Sequence, residues 1–402
     1  MLKKFNTPKF IILFTVFVDI LGFGIVIPVL PFYIKSFGAS DFTITALFSV
    51  FSLFSFISAP FLGALSDRIG RRPVLIVSIA STALGWLIFA SAKSLPLMFL
   101  ARIIDGAAAG NIPIAQSYLS DMSKDQKERT ANLGLIGAMF GIGLTVGPMI
   151  GGFLGSISHT LPFWVVGAMA AINALMALWR LPETHHERDA SQKIELNPLA
   201  PIDRAIKDRQ LLPGYVSWFL FGLAVAGQQA VFALFLNRAF GFGEFISGLF
   251  LTGIGITLSL NQAFLMRKFW IKKFKEPQLE LYMLLLLAAG FSLMSFEILT
   301  VFVLGVVFFT LSHSVLRVVM TSQIAGASGK RQGEAMGIMT SVMSLSMIIG
   351  PSLAGWLLTS NFCFPFLFST AIVLLTVGLI VYNRKKLAAI KPDEETPANF
   401  AI

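Results

Sequence analysis

"FYIKSFGASDF" (residues 32–42) returns 203 positions later as "FLNRAFGFGEF" (residues 235–245). The shift matches Phe32, Lys35, Phe37, Gly38, Asp41 and Phe42 with Phe235, Arg238, Phe240, Gly241, Glu244 and Phe245. It also carries Gly134, Gly147, Pro148 and Gly152 onto Gly337, Gly350, Pro351 and Gly355. One shift that serves two distant regions marks an internal duplication. Its meaning for the fold depends on how many membrane crossings separate the copies.

The chain has 402 residues, 55% apolar and only 13% charged, with 39 Phe. Soluble domains carry about 25% charged residues. Apolar stretches recur from end to end, each long enough to cross a hydrocarbon core of about 30 Å. The period-2 alternation of a membrane barrel is absent. Breaking the chain at charged and Pro/Gly-rich stretches predicts twelve spans. They lie near 10–34, 43–66, 73–92, 96–120, 130–156, 161–180, 211–237, 245–266, 278–296, 298–325, 332–358 and 362–383. The shift of 203 residues crosses six of them, an even number, so the copies share one orientation. The fold class predicted is an all-α polytopic membrane protein, with two parallel six-helix repeats around a central cavity. Its parts are an N-terminal bundle (1–180), a linker (181–210), a C-terminal bundle (211–383) and a tail (384–402).

The N-terminus "MLKKFNTPKF" and the apolar run behind it mimic a secretory signal. However, the run from Phe10 to Phe32 is too long, contains Asp19 and lacks a small-x-small cleavage site. It reads as the first span. With the N-terminus cytoplasmic, 26 of the 31 basic residues fall on that side. Lys35, Lys93 and Arg238 fall outside, and Arg102 and Arg317 within spans. The positive-inside rule then makes both termini cytoplasmic, and the net charge of +10 is a topology signal rather than a nucleic-acid surface. The location implied is a cell membrane, the bacterial inner membrane, with a lipid bilayer as the surrounding partner and a monomer as the working unit. The single cysteine, Cys363, excludes an internal disulfide. His185 and His186 in the linker read as solvated rather than as a metal site, and "KPDEETPANFAI" (391–402) reads as a disordered tail.

Polar residues at membrane depth fall on every third span: Asp19 (span 1); Arg102, Asp105 and Gln116 (span 4); Gln228 and Gln229 (span 7); His313 and Arg317 (span 10). At 100° per residue, Arg102, Asp105, Ala109, Gln116 and Ser120 share one face of span 4, and Asn111 falls on the opposite face. Counted from Pro96, Arg102 lies about 9 Å deep and Asp105 about 13 Å. Ionisable residues at such depth are functional by default. The bland alternative is an ion pair that only helps packing. Asp19 has no basic partner in its own span, and Arg102 is its best candidate partner across a cavity. Phe221, Phe232 and Phe235 fall within 40° of Gln228, an aromatic-plus-amide wall suited to an amphipathic ligand. On span 10, His313 and Arg317 share a stripe with Phe309. They read as charge balance, an anion-binding end of the site or a histidine proton relay.

Three further stretches carry a family resemblance. "GALSDRIGRRP" (63–73) resembles the signature loop of the major facilitator superfamily, and Arg102, Gly106 and Gly110 follow its span 4 pattern. "GLTVGPMIGG" (143–152) resembles the antiporter motif of the drug:proton exporters. "DILGFGIVIPVLP" (19–31) resembles span 1 of the tetracycline-efflux group. The resemblance implies that spans 1, 4, 7 and 10 line the cavity and that spans 2, 5, 8 and 11 form the moving contact. It also implies that the loop of Gly63, Asp67, Arg68, Gly70, Arg71 and Arg72 latches the outward-facing state. Asp67 is expected near the start of span 11, and Arg68, Arg71 and Arg72 against Asp121. Gly143, Gly147, Pro148, Gly151 and Gly152 in span 5, with Gly350, Pro351 and Gly355 in span 11, supply close-packed, bendable contacts.

The function predicted is proton-coupled export of small amphipathic organic compounds by rocking halves, with no cofactor beyond the proton gradient. Asp19, Arg102, Asp105 and His313 would handle the proton. Gln116, Gln228, Gln229, Phe232, Phe235, Phe309 and Arg317 would complete the substrate cavity. The alternatives are a carrier for an anionic metabolite or siderophore held by Arg102, His313 and Arg317, and a non-transporting receptor. An enzyme is not expected: no nucleophile–base pairing stands out, and "GASGKRQ" (326–332) lacks the parts of a phosphate-binding loop.

Overall fold

A computed structural model describes residues 7–185 and 197–389. His186, the linker residues 187–196 and the tail from residue 390 lie outside the described residues. Among the described residues, twelve helices are long and apolar enough to span a bilayer. Spans 1–6 are Thr7–Lys35, Asp41–Ile69, Arg71–Ser91, Leu95–Asp121, Gln126–Ile157 and Leu161–Arg180. Spans 7–12 are Leu212–Phe240, Glu244–Lys273, Glu276–Met294, Leu299–Ala327, Gln332–Ser360 and Phe364–Tyr382. A short helix, Ala200–Lys207, precedes span 7. Large apolar side chains such as Val77, Ile172, Trp179, Trp356 and Leu375 are exposed on these helices. A helix satisfies its backbone internally and can show lipid such a surface.

Local chemistry sets the span ends. Ser40 caps span 2 by accepting the Thr43 N–H at 3.2 Å. Asp125 caps span 5 through the Glu128 N–H at 2.7 Å. Between spans 2 and 3 the chain turns at Gly70, whose φ of 111° only glycine adopts without strain. Span 8 changes pitch over Asn261–Trp270, a π segment in which the Trp270 indole N–H donates to Asn261 Oδ1 at 2.9 Å. The sequence reading ended this span near residue 266; the wider winding carries it to Lys273.

The chain forms two compact units. One holds residues through Pro198 together with Gln229–Gly255; the other holds Leu199–Gln228 and the chain from Ile256 onward. These units differ from the halves of the repeat, because the later part of span 7 and the first part of span 8 belong with spans 1–6. Within that unit Arg238 pairs with Asp41 at 3.1 Å, and His159 lies 2.6 Å from Glu244. The backbones of spans 5 and 8 also meet: a methyl group on Gly152 would come within 2.5 Å of the Glu244 carbonyl oxygen.

The duplication is visible in each unit by itself. Gly38 and Gly241, equivalent by the shift, have φ of 72° and 68°. In span 5, Gly147 has no room for a side chain beside the Leu21 carbonyl and Gly24 of span 1. In span 11, its equivalent Gly350 is equally confined by the Leu223 carbonyl and Gly227 of span 7. Gly24 and Gly227 are themselves 203 positions apart, so the glycine pair recurs, with the confining carbonyl displaced by one residue.

Candidate functional site

Span 4 is two helices, Leu95–Ala107 and Asn111–Asp121, separated by Ala108–Gly110. Pro113 explains the break. It has no N–H for the carbonyl one turn earlier, and its ring clashes there, so it is tolerated only near a helix start. Ser78 of span 3 holds the gap, donating to the Ala108 carbonyl and accepting the Gly110 N–H at 3.3 Å. "GNIP" (110–113) was the sequence signal for this interruption.

The break corrects the face drawn through span 4, because a single 100° register does not cross it. Asn111, assigned to the opposite face, is 2% exposed and donates from Nδ2 to Asp19 Oδ1 at 3.1 Å. The same Nδ2 donates to Thr82 Oγ1 of span 3 at 3.2 Å. Gln116 is exposed. A second neutral pair lies one turn from Asp19, where Asn173 of span 6 donates to Thr15 at 2.7 Å.

Arg102 does not hold Asp19, as the sequence reading expected. Its Nη1 lies 3.3 Å from Asp105 Oδ2, and both residues are buried, at 4% and 5% exposure. The guanidinium carbon lies 4.2 Å from the Trp86 ring centre and 4.7 Å from that of Phe89. A desolvated cation over two ring faces gains about 2 kcal/mol. Nε and Nη2 are buried without hydrogen-bond partners, so the rings and Asp105 carry the burden of keeping the charge there. Gly85 of span 3 lets that helix lie against the Asp105 Cβ. Arg102 and Asp105 are thus buried as a pair, and Asp19 is half-buried beside Asn111.

At the signature loop, Arg71 contacts Asp67, its Nε reaches Asp121 Oδ2 at 3.2 Å, and its Nη1 donates to Ser66 at 2.8 Å. Arg72 donates instead to the Leu178 carbonyl at 2.8 Å, so of the arginines expected on Asp121 it is Arg71 that makes the contact. Arg68 is exposed. Sequence reasoning missed Glu183, which looked like part of a polar linker. Its carboxylate accepts backbone N–H groups from Arg71 (2.9 Å), Arg72 (3.3 Å), Thr184 (3.0 Å) and His185 (3.0 Å). Partial burial works to raise its pKa, but these four donors hold it below the ordinary 4.5. An anion at the start of span 3 also suits the helix dipole. A side chain at Gly70 would collide with this carboxylate, a second reason for glycine there.

In the second unit, His313 lies between the rings of Phe309 and Phe221, with centroids at 5.5 and 5.6 Å. Its Nδ1 is buried without a hydrogen-bond partner. Arg317, one turn along, is exposed, Gln228 is buried, and Gln229 in the first unit is half-buried. Phe221, Phe232 and Phe235 differ from the aromatic wall expected around Gln228: all three are fully buried, Phe232 against Phe250 and Phe235 against Phe240. They turn into helix packing because these positions of span 7 are covered by neighbouring helices. Among the described residues no group of three His, Cys, Asp or Glu converges to hold a metal ion.

A family model described as Major Facilitator Superfamily matches residues 12–296 and 263–402. Multidrug resistance protein 2 of Bacillus subtilis (strain 168) is 30% identical over 398 residues, covering 96% of this chain and 98% of that protein. Tetracycline resistance protein, class C, of Escherichia coli is 30% identical over 358 residues, 87% and 89% of the two chains. The crystal structure of the human organic anion transporter MFSD10 (TETRAN) superposes with a TM-score of 0.69 at 22% identity, over 93% of this chain and 99% of that one. The twelve spans and these matches along the whole chain make it a multi-pass membrane protein that belongs to the major facilitator superfamily of transporters.

Proposed function

We propose that the protein is a proton-coupled exporter of small amphipathic organic compounds, working by alternating access in a cell inner membrane with both termini cytoplasmic. The observation that carries this reading is the charge count inside the first unit. Arg102 is committed to Asp105, and Asp19 is held by the neutral amide of Asn111. An ionised carboxylate left with neutral donors in an apolar bundle is costly. Taking a proton removes that cost, so a cycle that alternately wets and buries Asp19 binds and releases a proton. One charge moving through 100 mV is worth about 2.3 kcal/mol, enough to drive uphill efflux. The names of the relatives, multidrug and tetracycline resistance proteins, support the direction and the substrate class.

A second reading, a carrier of organic anions, draws on Arg317, a cation exposed on span 10. Of the other cations assigned to it, Arg102 is caged by Trp86, Phe89 and Asp105, and its charge is already used.

Inverted vesicles with an imposed pH gradient test both readings. Tetracycline, a lipophilic cationic dye and a tricarboxylate serve as probes. The proposal expects gradient-driven uptake of the first two, lost in Asp19→Asn. Gradient-independent flux, or a preference for the tricarboxylate that Arg317→Ala abolishes, would contradict it.

A further inference from the structure

We propose that Asn111 is a positioning residue that, through Thr82, joins Asp19 and Asp105 into one proton-binding unit; this deepens the proton-coupling reading and rests on it. The two N–H groups of the amide are both engaged, one toward Asp19 Oδ1 at 3.1 Å and one toward Thr82 Oγ1 at 3.2 Å. With its oxygen accepting from Asn111, the Thr82 hydroxyl has its proton to turn toward Asp105, whose Cβ packs against Gly85 one turn along the same helix. The chain of donors therefore runs from Asn111 to Asp19 on one side and, through Thr82, toward Asp105 on the other.

The other end of the amide is an acceptor in waiting. Asn111 Oδ1 is buried and has no hydrogen-bond partner. When Asp19 takes a proton its carboxyl becomes a donor, and an amide turned by 180° presents Oδ1 to it. The Thr82 oxygen then loses the amide N–H, and its hydroxyl turns from Asp105 to Oδ1. The proton at Asp19 thereby sets the number of donors at Asp105. Without the bridge the two acids would sense each other through charge alone, which spreads their protonation over two steps.

Among the described residues, the other ionisable groups on the helices packed around the bridge lie toward helix ends, Tyr33 of span 1 and Tyr118 and Asp121 of span 4 among them. Arg102, paired with Asp105, is the cation of the network. Span 1 carries Lys9 and Lys35 at its two ends, and span 2 carries Asp41, Asp67 and Arg68 at its ends. Span 3 carries Arg71 and Arg72 at its start, span 5 carries Lys127, Glu128 and Arg129 at its start, and span 6 carries Arg180 at its end. From spans 7 and 8, Gln229–Gly255 brings Arg238 and Glu244, again at helix ends.

The test is an infrared titration of the carboxyl C=O bands of the full-length protein in proteoliposomes, which needs no ligand. The wild type should titrate in one steep step. In Thr82→Val, which removes the hydroxyl and keeps the shape, the step should split into two separated by about one pH unit or more. Asn111→Leu should do the same, and Asn111→Gln, which keeps the amide, should restore a single step. Thr82→Val and Asn111→Leu titrating like the wild type would overturn the proposal. So would Asn111→Gln behaving like Asn111→Leu while Thr82→Val behaves like the wild type. Gradient-driven tetracycline flux, measured on the same vesicles, decides the underlying transport reading separately: flux that ignores the gradient sinks that reading while the titration still answers for the bridge.

Discussion

Gly147 against Gly24, and Gly350 against Gly227, are equivalent glycine contacts in the two copies of the repeat. What lies beside each contact is different. The first copy buries the Arg102–Asp105 pair and holds Asp19 by Asn111, which also bonds Thr82. The second encloses His313 between two phenylalanine rings and leaves Arg317 exposed. Span 4 is broken at Ala108–Gly110, whereas its equivalent, span 10, runs unbroken over 29 residues. Duplication kept the backbone approach that lets helices slide or bend, and left side-chain chemistry free to diverge. Under the proposed function the first copy handles the proton, and the second holds His313 within aromatic packing.

Removing Arg102 is expected to break the comparison most severely. Arg102→Ala strands Asp105 in an apolar bundle and empties the space between Trp86 and Phe89. A buried pair that loses one partner costs about 3–5 kcal/mol. The apparent melting temperature of the detergent-solubilised protein should fall accordingly, and far less for Arg317→Ala. Equal losses for the two arginines would erase the asymmetry. Next in size is coupling: Asp19→Asn should lower the gradient-supported accumulation of probe about fiftyfold at 100 mV, the equivalent of one proton. His313→Phe, which keeps a ring between Phe221 and Phe309, should leave the coupled gradient intact.

The shared skeleton gives a matched pair of changes. Gly147→Val and Gly350→Val each force a side chain into a backbone contact, and each should destabilise by about 1–3 kcal/mol. The two shifts in thermal stability should agree, since the contacts are equivalent; a loss confined to one copy would mean that the repeat no longer governs packing. The smallest effect belongs to Glu183. Its pKa in the folded protein lies below 4.5, so its contribution to holding the linker start against Arg71 and Arg72 is complete above that value. It is lost as pH falls through the lowered folded value. Proteolysis near residue 183 should be faster in Glu183→Gln than in the wild type at neutral pH, and the difference should vanish in strong acid.

The sequence displayed the architecture because its signals are long: apolar runs and a repeat of 203 positions each integrate over many residues. Within the site, Arg102 and Asp105 were legible because an i,i+3 pair lies within one unbroken stretch of helix. Asn111 was misplaced because helical periodicity assumes continuity, and Pro113 breaks it two residues further on. The reach of Glu183 was hidden for another reason, since two of its four partners are backbone N–H groups more than a hundred positions away, which no side-chain pattern announces. Phe232 and Phe235 show the limit of angular arguments on span 7: a direction around a helix does not say whether another helix covers it.

Proton release on binding tests the central claim most directly. Tetracycline is added to purified protein in weakly buffered detergent while the pH of the solution is recorded. The account predicts that substrate expels protons from the wild type, that Asp19→Asn releases fewer, and that the Asp19→Asn, Asp105→Asn double variant releases none. Binding of tetracycline with no proton release from the wild type, or with undiminished release from the double variant, would contradict it.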